Sequence, residues 1–236
     1  MSVQLTQVAP DVFAHERELA LGFGFRLNTR TTIIRRGTDL WVHSPLADDG
    51  WYAAAAKLGE VRWLVAPSCL HHMFVGEAAQ HFTGAQIAAP GRLLKKKPDL
   101  AIDFVMDDGP RPESWPEGID IVPVAGAGKV AEHLFYDTAS RSLVVTDLVF
   151  NNERGANWIT RMILAVFAPS GRVTRSREWG LMLIKDKKAF SESLAVLSEL
   201  DLTRIIPAHG NVITDIELAV SVMRTGKPTQ THLLSA

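Results

Sequence analysis

The stretch Val61–Glu77 reads VRWLVAPSCLHHMFVGE, and the rest of the chain is best understood by working outward from it. It opens with the apolar run Trp63–Ala66, which has the length and composition of a buried strand. Pro67 ends that strand, because proline has no N–H to give to a neighbouring strand. Polar and coordinating side chains follow at once: Ser68, Cys69, His71 and His72. Such side chains at the end of a buried strand are typical of a ligand site in a layered α/β fold.

Two later stretches repeat this pattern of an apolar strand followed by polar side chains. The strand Ser142–Val145 leads into Thr146 and Asp147, and a strand beginning at Arg204 leads into Pro207-Ala208-His209-Gly210. The sequence therefore predicts a fold that brings three strand ends together at one edge.

Composition narrows the class of protein. The chain has 236 residues, 47% of them hydrophobic, and no linker-like segment, so we predict one domain over residues 1–236 with a poorly ordered tail from about Gly226. A net charge of −1 gives no electrostatic footprint for nucleic acid.

The only cysteine is Cys69, which favours a reducing compartment. The N-terminus lacks the pattern of a secretory signal, and the longest apolar run, Met162–Ala168, is too short to span a bilayer. We predict a soluble cytoplasmic protein that binds neither nucleic acid nor membrane.

Periodicity and turn residues predict alternating strands and helices. The predicted strands beyond Trp63–Ala66 are Asn28–Arg36 and Leu40–His43 as one hairpin, Ala85–Ala88, Ile119–Val124, His133–Tyr136 with Leu143–Val145 as a second hairpin, and a strand from Arg204. The predicted helices are Trp51–Leu58, Phe74–Phe82, Trp158–Phe167, Asp186–Leu200 and Thr214–Met223. Residues 95–118, which are rich in proline, are predicted to be an irregular connection. This order favours two packed sheets with helices outside. The Trp158–Phe167 helix carries more apolar residues than a connection needs, so we predict either a wall of the site or a contact in a homodimer.

The residues best suited to chemistry are His71, His72, Asp147 and His209. Neutral imidazole and carboxylate are ligands for zinc, iron or manganese. Taken singly, Asp147 is better explained as a turn or cap residue and His209 as a loop histidine, but the set as a whole favours a site. On a strand, two adjacent histidines would point to opposite faces, whereas in a loop or at the start of a helix they diverge less. One of His71 and His72 is then expected to be a ligand and the other to support it, with the choice open.

Four further residues are weaker candidates. Glu77 lies on the predicted helix after His72, and Glu132 with His133 begins a hairpin strand, where an exposed charge is the simpler explanation. Cys69 is near the histidines, yet a lone cysteine in a reducing compartment is usually a small buried hydrophobe. No nucleophile elbow, phosphate-binding loop or dinucleotide-binding motif is present.

The order TTIIRR, LWVHSP, WLVAPSCLHHMF, LVVTDLVFN and RIIPAHG resembles the metallo-β-lactamase superfamily from about Val8 to about Met223. It is most similar to a branch of that superfamily known only as a domain of unknown function. The resemblance implies a four-layer αββα sandwich with one or two metals along one edge of the sheets. It also implies that Asp147 corresponds to the aspartate that bridges the metals and His209 to the last histidine ligand. The usual His-x-His-x-Asp-His motif is replaced here by SCLHHMF, and Ala127 stands where another histidine ligand is expected.

The resulting interpretation is a metal-dependent hydrolase of a small molecule, with one metal held by His71 or His72, Asp147 and His209. In this scheme Asp147, together with His72, is also a catalytic candidate. Esters, lactones, thioesters and phosphoesters are all compatible with it. Two alternatives stay open: a binding or interaction module without catalysis and without metal, and a redox protein with bound iron.

Overall fold

The computed structural model describes residues 4–107, 109–153 and 157–227, and within these ranges the strands form two sheets. The first sheet has seven strands in chain order, β1 to β7: Thr6–Ala9, Val12–Ala20, Arg26–Arg36, Asp39–His43, Glu60–Val65, Gln86–Ala89 and Phe104–Val105. The second has four strands in the order β11-β10-β9-β8, with β8 at Ile119–Pro123, β9 at His133–Asp137, β10 at Ser142–Val145 and β11 at Arg204–Pro207.

Both sheets contain antiparallel and parallel pairs. Strands β1 to β4 pair antiparallel, and β4 to β7 pair parallel. In the second sheet β8, β9 and β10 are antiparallel, whereas β10 and β11 are parallel. Because β10 and β11 run the same way, the residues that follow them emerge at the same edge of the sheet.

Six α-helices and two shorter helical turns occupy the described ranges. The α-helices are α1 Asp49–Leu58, α2 Val75–His81, α3 Gly91–Lys96, α4 Trp158–Phe167, α5 Lys187–Ser193 and α6 Ile216–Thr225. A π-helical turn spans Trp179–Leu183, and a 3₁₀ turn spans Ala195–Ser198. None of these helices has the length and apolarity needed to cross a membrane.

Side-chain alternation along the strands builds three apolar layers. Trp63 and Val65 of β5 face the space between the sheets, whereas Leu64 faces α1 and α2. Phe135 of β9 likewise points between the sheets, where its ring lies 4.9 Å from that of Trp41. On the other side of the second sheet, residues of β9, β10 and β11 pack against α5 and α6. Helices thus cover the outer face of each sheet, and the predicted αββα sandwich is confirmed.

Most predicted elements are present, with informative differences in the second half. The predicted helix Asp186–Leu200 is α5 followed by the 3₁₀ turn, and Asp186 caps α5 by accepting hydrogen bonds from the N–H groups of Lys188 and Ala189. The connection at 95–118 is less irregular than predicted, since it contains the end of α3 and all of β7. Most of the predicted flexible tail lies outside the described residues.

A buried arginine ties the two sheets together. Arg30 of β3 donates its backbone N–H to the carbonyl of Ala208 at 2.8 Å and its guanidinium to the carbonyls of Pro207 and Gly210. Its guanidinium also binds the carboxylate of Glu16 on β2. The end of β11 is therefore fixed against the first sheet at the edge where the predicted site residues emerge.

Candidate metal centre

Three of the predicted site residues converge where the two sheets meet. His71 follows β5, Asp147 follows β10 and His209 follows β11. One coordinating atom from each lies within 4.8 Å of the other two, and this is the one group of three or more such residues in the described ranges. The Nε2 atoms of His71 and His209 are 3.1 Å apart. The carboxylate of Asp147 lies 3.4 Å from Nε2 of His71 and 3.3 Å from Nε2 of His209.

His209 is held so that its unprotonated Nε2 faces His71 and Asp147. Its Nδ1 lies 2.8 Å from the carbonyl oxygen of Asn28, which can only accept, so in the neutral ring Nδ1 carries the hydrogen. Its ring stacks on Phe150 with the planes 7° apart and the centroids 5.2 Å apart. The Nε2 lone pair is therefore available for a proton or a metal ion.

His71 is positioned by two serines. The Nδ1 atom of His71 lies 2.8 Å from the hydroxyl of Ser44, which follows β4. The hydroxyl of Ser68 accepts hydrogen bonds from the backbone N–H groups of Leu70 and His71 at 3.1 and 3.0 Å, which closes the turn after Pro67. This turn directs Nε2 of His71 toward His209 and Asp147.

Asp147 is positioned through the buried carboxylate of Glu132. One oxygen of Glu132 accepts from the N–H of Thr146 at 2.8 Å, and the other accepts from the N–H of Asp147 at 3.3 Å. Burial, followed by the negative charge of Asp147, raises the pKa of Glu132 to about 7. Glu132 is only 1% exposed, so the expectation of an exposed strand charge is wrong: its side chain turns inward to satisfy two backbone groups.

The electrostatics favour ionised Asp147 beside a basic His71. Burial works to raise the pKa of Asp147, but the neighbouring His71 and His209 outweigh it and hold that pKa well below its usual range. Burial works to lower the pKa of His71, yet the Asp147 carboxylate reverses this and raises it. Two ring nitrogens 3.1 Å apart repel each other unless a proton or a metal cation lies between them. The arrangement thus calls for positive charge at its centre.

Several solved structures that are similar to this chain over nearly its whole length are metallo-β-lactamases. The metallo-β-lactamase FIM-1 from Pseudomonas aeruginosa in its mono-zinc form is 15% identical, with 94% of this chain and 95% of that chain covered and a TM-score of 0.64. A metallo-β-lactamase from Hirschia baltica is 14% identical over 95% of this chain and 98% of its own, with a TM-score of 0.63. TMB-1 is 10% identical over the whole of both chains, with a TM-score of 0.66. The chain has the metallo-β-lactamase fold. No family model matches the sequence, and no curated protein matches it.

Within the metallo-β-lactamase fold, the three residues fit a single metal ion. Ligands of a tetrahedral zinc bound at ~2.0–2.1 Å lie about 3.3 Å from one another. The two Nε2 atoms are 3.1 Å apart, Nε2 of His71 lies 3.4 Å from Oδ2 of Asp147, and Nε2 of His209 lies 3.3 Å from Oδ1 of the same carboxylate. With one ligand atom taken from each residue, all three atoms lie within 4.8 Å of one another, which is close enough to share one ion after a small adjustment of the side chains. Both histidines are hydrogen-bonded at the opposite ring nitrogen, as metal-bound histidines usually are. Oδ2 of Asp147 is buried with no hydrogen-bond partner among the described residues, which leaves it available to a cation.

The remaining predicted residues lie elsewhere. His72 is not in the cluster: it is buried apart from it, and burial followed by Lys96 and Lys97 lowers its pKa. Of the two adjacent histidines, the structure therefore brings only His71 to the site. Glu77 is exposed on α2. His133 is buried rather than exposed as expected, and its Nε2 lies 3.2 Å from the carboxylate of Asp107.

Cys69 is a buried core residue. It is 2% exposed among the apolar side chains under α1 and α2, and its N–H donates to the carbonyl of Val130 at 2.8 Å. Burial raises the pKa of its thiol, which disfavours the reactive thiolate.

The sequence reasoning missed the residues that orient the two histidines. Ser44 follows β4 in the stretch LWVHSP, so the same strand-end rule that singles out His71 would also have indicated it. Asn28 acts through its backbone carbonyl, and no side-chain pattern reveals that role. His43, next to Ser44, is buried against Trp41 and Phe135 and was also missed.

Proposed function

We propose that this protein is a metal-dependent hydrolase of a small molecule, with one divalent metal held by His71, Asp147 and His209. The observation that carries the proposal is the mutual approach of three coordinating atoms, each oriented by a further hydrogen bond. The likeness of the fold to metallo-β-lactamases supports it. Two imidazoles and one carboxylate suit zinc and also iron(II), so both metals belong to the proposal.

The residues of the chain have distinct roles in this proposal. A metal held there supplies Lewis-acid chemistry, because it polarises a carbonyl or phosphoryl oxygen and makes water more acidic. His71 and His209 offer neutral Nε2 atoms, which Ser44 and the Asn28 carbonyl keep in place. Asp147 stays ionised and can accept a hydrogen bond from a water molecule at the edge of the cluster. Glu132 holds the Asp147 backbone so that this carboxylate does not swing away.

Metal content tests the proposed metal site. Protein purified without chelator or a metal-affinity tag should contain about one zinc or iron per chain by elemental analysis. His71→Ala and His209→Ala should each lose it, since even the loss of an outer hydrogen-bond partner typically weakens metal binding by about 10–100-fold. His72→Ala is the matched control and should keep the metal.

Hydrolysis of a panel of esters, lactones, thioesters and phosphoesters tests the second half. Activity should follow metal content across the same three variants. Metal-loaded protein that hydrolyses no member of the panel would favour the non-catalytic binding module instead. A metal content near zero in carefully loaded wild-type protein would contradict the metal site itself.

A further inference from the structure

Two cavities meet at the metal-binding cluster, and together they indicate the kind of substrate. Taking the proposed hydrolase function as its basis, we infer that the substrate is an uncharged carboxylic ester or lactone with an apolar group on each side of the scissile carbonyl. The inference rests on the shape and lining of these cavities.

The first cavity lies beside the two histidines and has a volume of about 310 Å³. His71, Asp147 and His209 form its polar end. Its remaining wall is mainly aliphatic and aromatic: Leu19, Leu21, Leu27, Leu46, Leu70 and Phe74. An apolar substituent of the substrate can fill this cavity while the carbonyl to which it is attached lies at the cluster.

The second cavity extends from the other side of Asp147 and has a volume of about 290 Å³. Its apolar wall comes largely from α4 and neighbouring aromatic rings: Phe25, Phe150, Ile163, Leu164, Phe167 and Trp179. Leu27, Leu70 and Asp147 line both cavities. The cluster therefore sits at their junction, and α4 is a wall of the site.

The size of the paired cavities suits a molecule with two arms. Small-molecule sites usually have volumes of about 300–1,000 Å³, so each cavity alone is at the lower limit. A carbonyl placed at Asp147 would have one substituent directed into each cavity. A single long apolar chain with its reactive bond at one end would fill only one of them.

The charges around the cavities favour an uncharged molecule. Outside the cluster, the one charged side chain among the described lining residues is the carboxylate of Glu178. No lysine or arginine is among the described lining residues, so a carboxylate or phosphate on the substrate would find no cation except the metal itself. Burying such a group without a partner is strongly unfavourable. Phosphoesters and acids are thus disfavoured.

The reaction that this substrate would undergo needs only water. The oxygen of water bonds to the acyl carbon, the bond from that carbon to the alkoxy oxygen breaks, and one proton of the water ends on the leaving alcohol. The products are an acid and an alcohol, or one hydroxy acid from a lactone, and no electrons are transferred.

A pair of chromogenic esters of equal length tests the preference for an uncharged substrate. The probes are 4-nitrophenyl hexanoate and the 4-nitrophenyl monoester of adipic acid, which differ by a terminal carboxylate. The wild-type protein should hydrolyse the hexanoate with a kcat/KM at least about 100-fold higher. Within a series of neutral esters, each added methylene should raise kcat/KM about threefold to fourfold until the cavity is full. Equal or better hydrolysis of the adipate ester would overturn the inference.

Charged substitutions locate the effect in the cavities. Leu21 and Phe167 line different cavities and are each about half exposed, so lysine can be accommodated at either position. At least one of Leu21→Lys and Phe167→Lys should reduce the preference for the hexanoate tenfold or more. Leu94→Lys, on α3 and equally exposed but in neither cavity, is the matched control and should leave it unchanged. If Leu94→Lys has the same effect as the other two, the inference is wrong.

A binding measurement separates this inference from the proposed hydrolase function. N-hexylhexanamide is uncharged, has two apolar arms and is hydrolysed slowly, so its binding can be followed by calorimetry with and without chelator. Binding of this amide without hydrolysis of any ester would overturn the proposed function while supporting the uncharged two-armed ligand. Hydrolysis that favours anionic esters, together with no binding of the amide, would overturn the inference while supporting the function.

Discussion

At the scale of single residues, Glu132 shows how a buried acid can serve a site without joining it. Its two oxygens take the backbone N–H groups of Thr146 and Asp147, at the point where β10 ends. Because these bonds hold the backbone at Thr146 and Asp147, the carboxylate fixes the direction in which the Asp147 side chain leaves the strand. Glu132 therefore acts by positioning Asp147 and not as a member of the cluster itself.

Removing this carboxylate should be costly. Glu132→Ala leaves two buried N–H groups without acceptors, which should lower the free energy of unfolding by about 2–4 kcal/mol. It should also weaken metal binding by about 10–100-fold, because Asp147 loses its support. Urea unfolding and competition with a chromogenic chelator measure the two effects. Glu132→Gln, which keeps one acceptor oxygen, should be milder, and Glu77→Ala, at an exposed position of α2, should change neither quantity.

His43 should make stability sensitive to acid. It is buried at the end of β4, and neither ring nitrogen has a hydrogen-bond partner in the part of the chain that the structure describes. Burial, followed by nearby His71, lowers its pKa to about 3. In the unfolded chain its pKa is about 6.5. Below that pH the unfolded chain takes up a proton that folded His43 does not, so stability is lost as the pH falls from about 6.5 toward 3.

The matching experiment compares two pH values. With chelator present, the wild-type protein should lose about 2 kcal/mol more unfolding free energy between pH 7 and pH 5 than His43→Phe does, at about 1.4 kcal/mol per pH unit. Phenylalanine suits the aromatic contacts with Trp41 and Phe135. Identical pH profiles for the two proteins would show that His43 is not the group responsible.

At the scale of elements, the turn after β11 has no space for a side chain at Gly210. Gly210 has φ of +85°, and a Cβ added there would lie 2.1 Å from the backbone oxygen of Asn151. Gly171 has a similar φ of +80°, yet nothing lies within 4 Å of an added Cβ. The two glycines thus share a backbone conformation and differ only in crowding.

Alanine at Gly171 and at Gly210 should separate the cost of a left-handed backbone conformation from the cost of crowding. Gly171→Ala should lower the free energy of unfolding by about 1–2 kcal/mol, the cost of a left-handed conformation for alanine. Gly210→Ala should cost more than about 3 kcal/mol, because the backbone must also move. It should weaken metal binding as well, since His209 is the preceding residue. Similar losses in both variants would mean that the turn after β11 can adapt.

Elements were predictable where local signals were strong. Strand β5 and its end at Pro67 follow from an apolar run and a proline, and α1 follows from an alanine-rich stretch capped by Asp48. Short β7, the π-helical turn and the break between α5 and the 3₁₀ turn have no clear local signature, because packing against the sheets determines them.

The candidate site was predictable only in part for a similar reason. The strand-end pattern found His71, Asp147 and His209, but it could not choose between His71 and His72, since the choice depends on the turn closed by Ser68. The inward direction of Glu132 also depends on a contact with residues 14 and 15 positions away. Such contacts exist only in the folded chain.

At the scale of the whole molecule, the cluster spans both sheets. His71 comes from the loop after β5 of the first sheet, whereas Asp147 and His209 follow strands of the second. A metal bound to all three would therefore connect the two halves of the sandwich. Its binding energy should appear as stability of the entire fold rather than of one loop.

Bound metal should therefore raise the melting temperature. Free zinc buffered at about 1,000 times its Kd adds about 4 kcal/mol, which corresponds to roughly 8–16 °C for a chain of this size. Differential scanning calorimetry with buffered zinc and with chelator measures the shift. The His209→Ala protein should show little of it, and an equal shift in that variant would mean that zinc stabilises the fold through another site.

The Arg30 tie joins parts of the chain that are far apart in sequence: 180 residues separate Arg30 from Gly210, and 181 separate Asn28 from His209. Closing so large a loop costs chain entropy before any bond across it can form. We therefore predict that these bonds form late, after the rate-limiting step of folding. The ligands would then be unassembled in the transition state, and zinc could not hasten its formation. Stopped-flow mixing should show a refolding rate that is independent of zinc and an unfolding rate that falls as zinc is added. Faster refolding with zinc would mean that the two ends of the chain meet early. If refolding is independent of zinc, the metal binds only after the chain has folded and then slows unfolding.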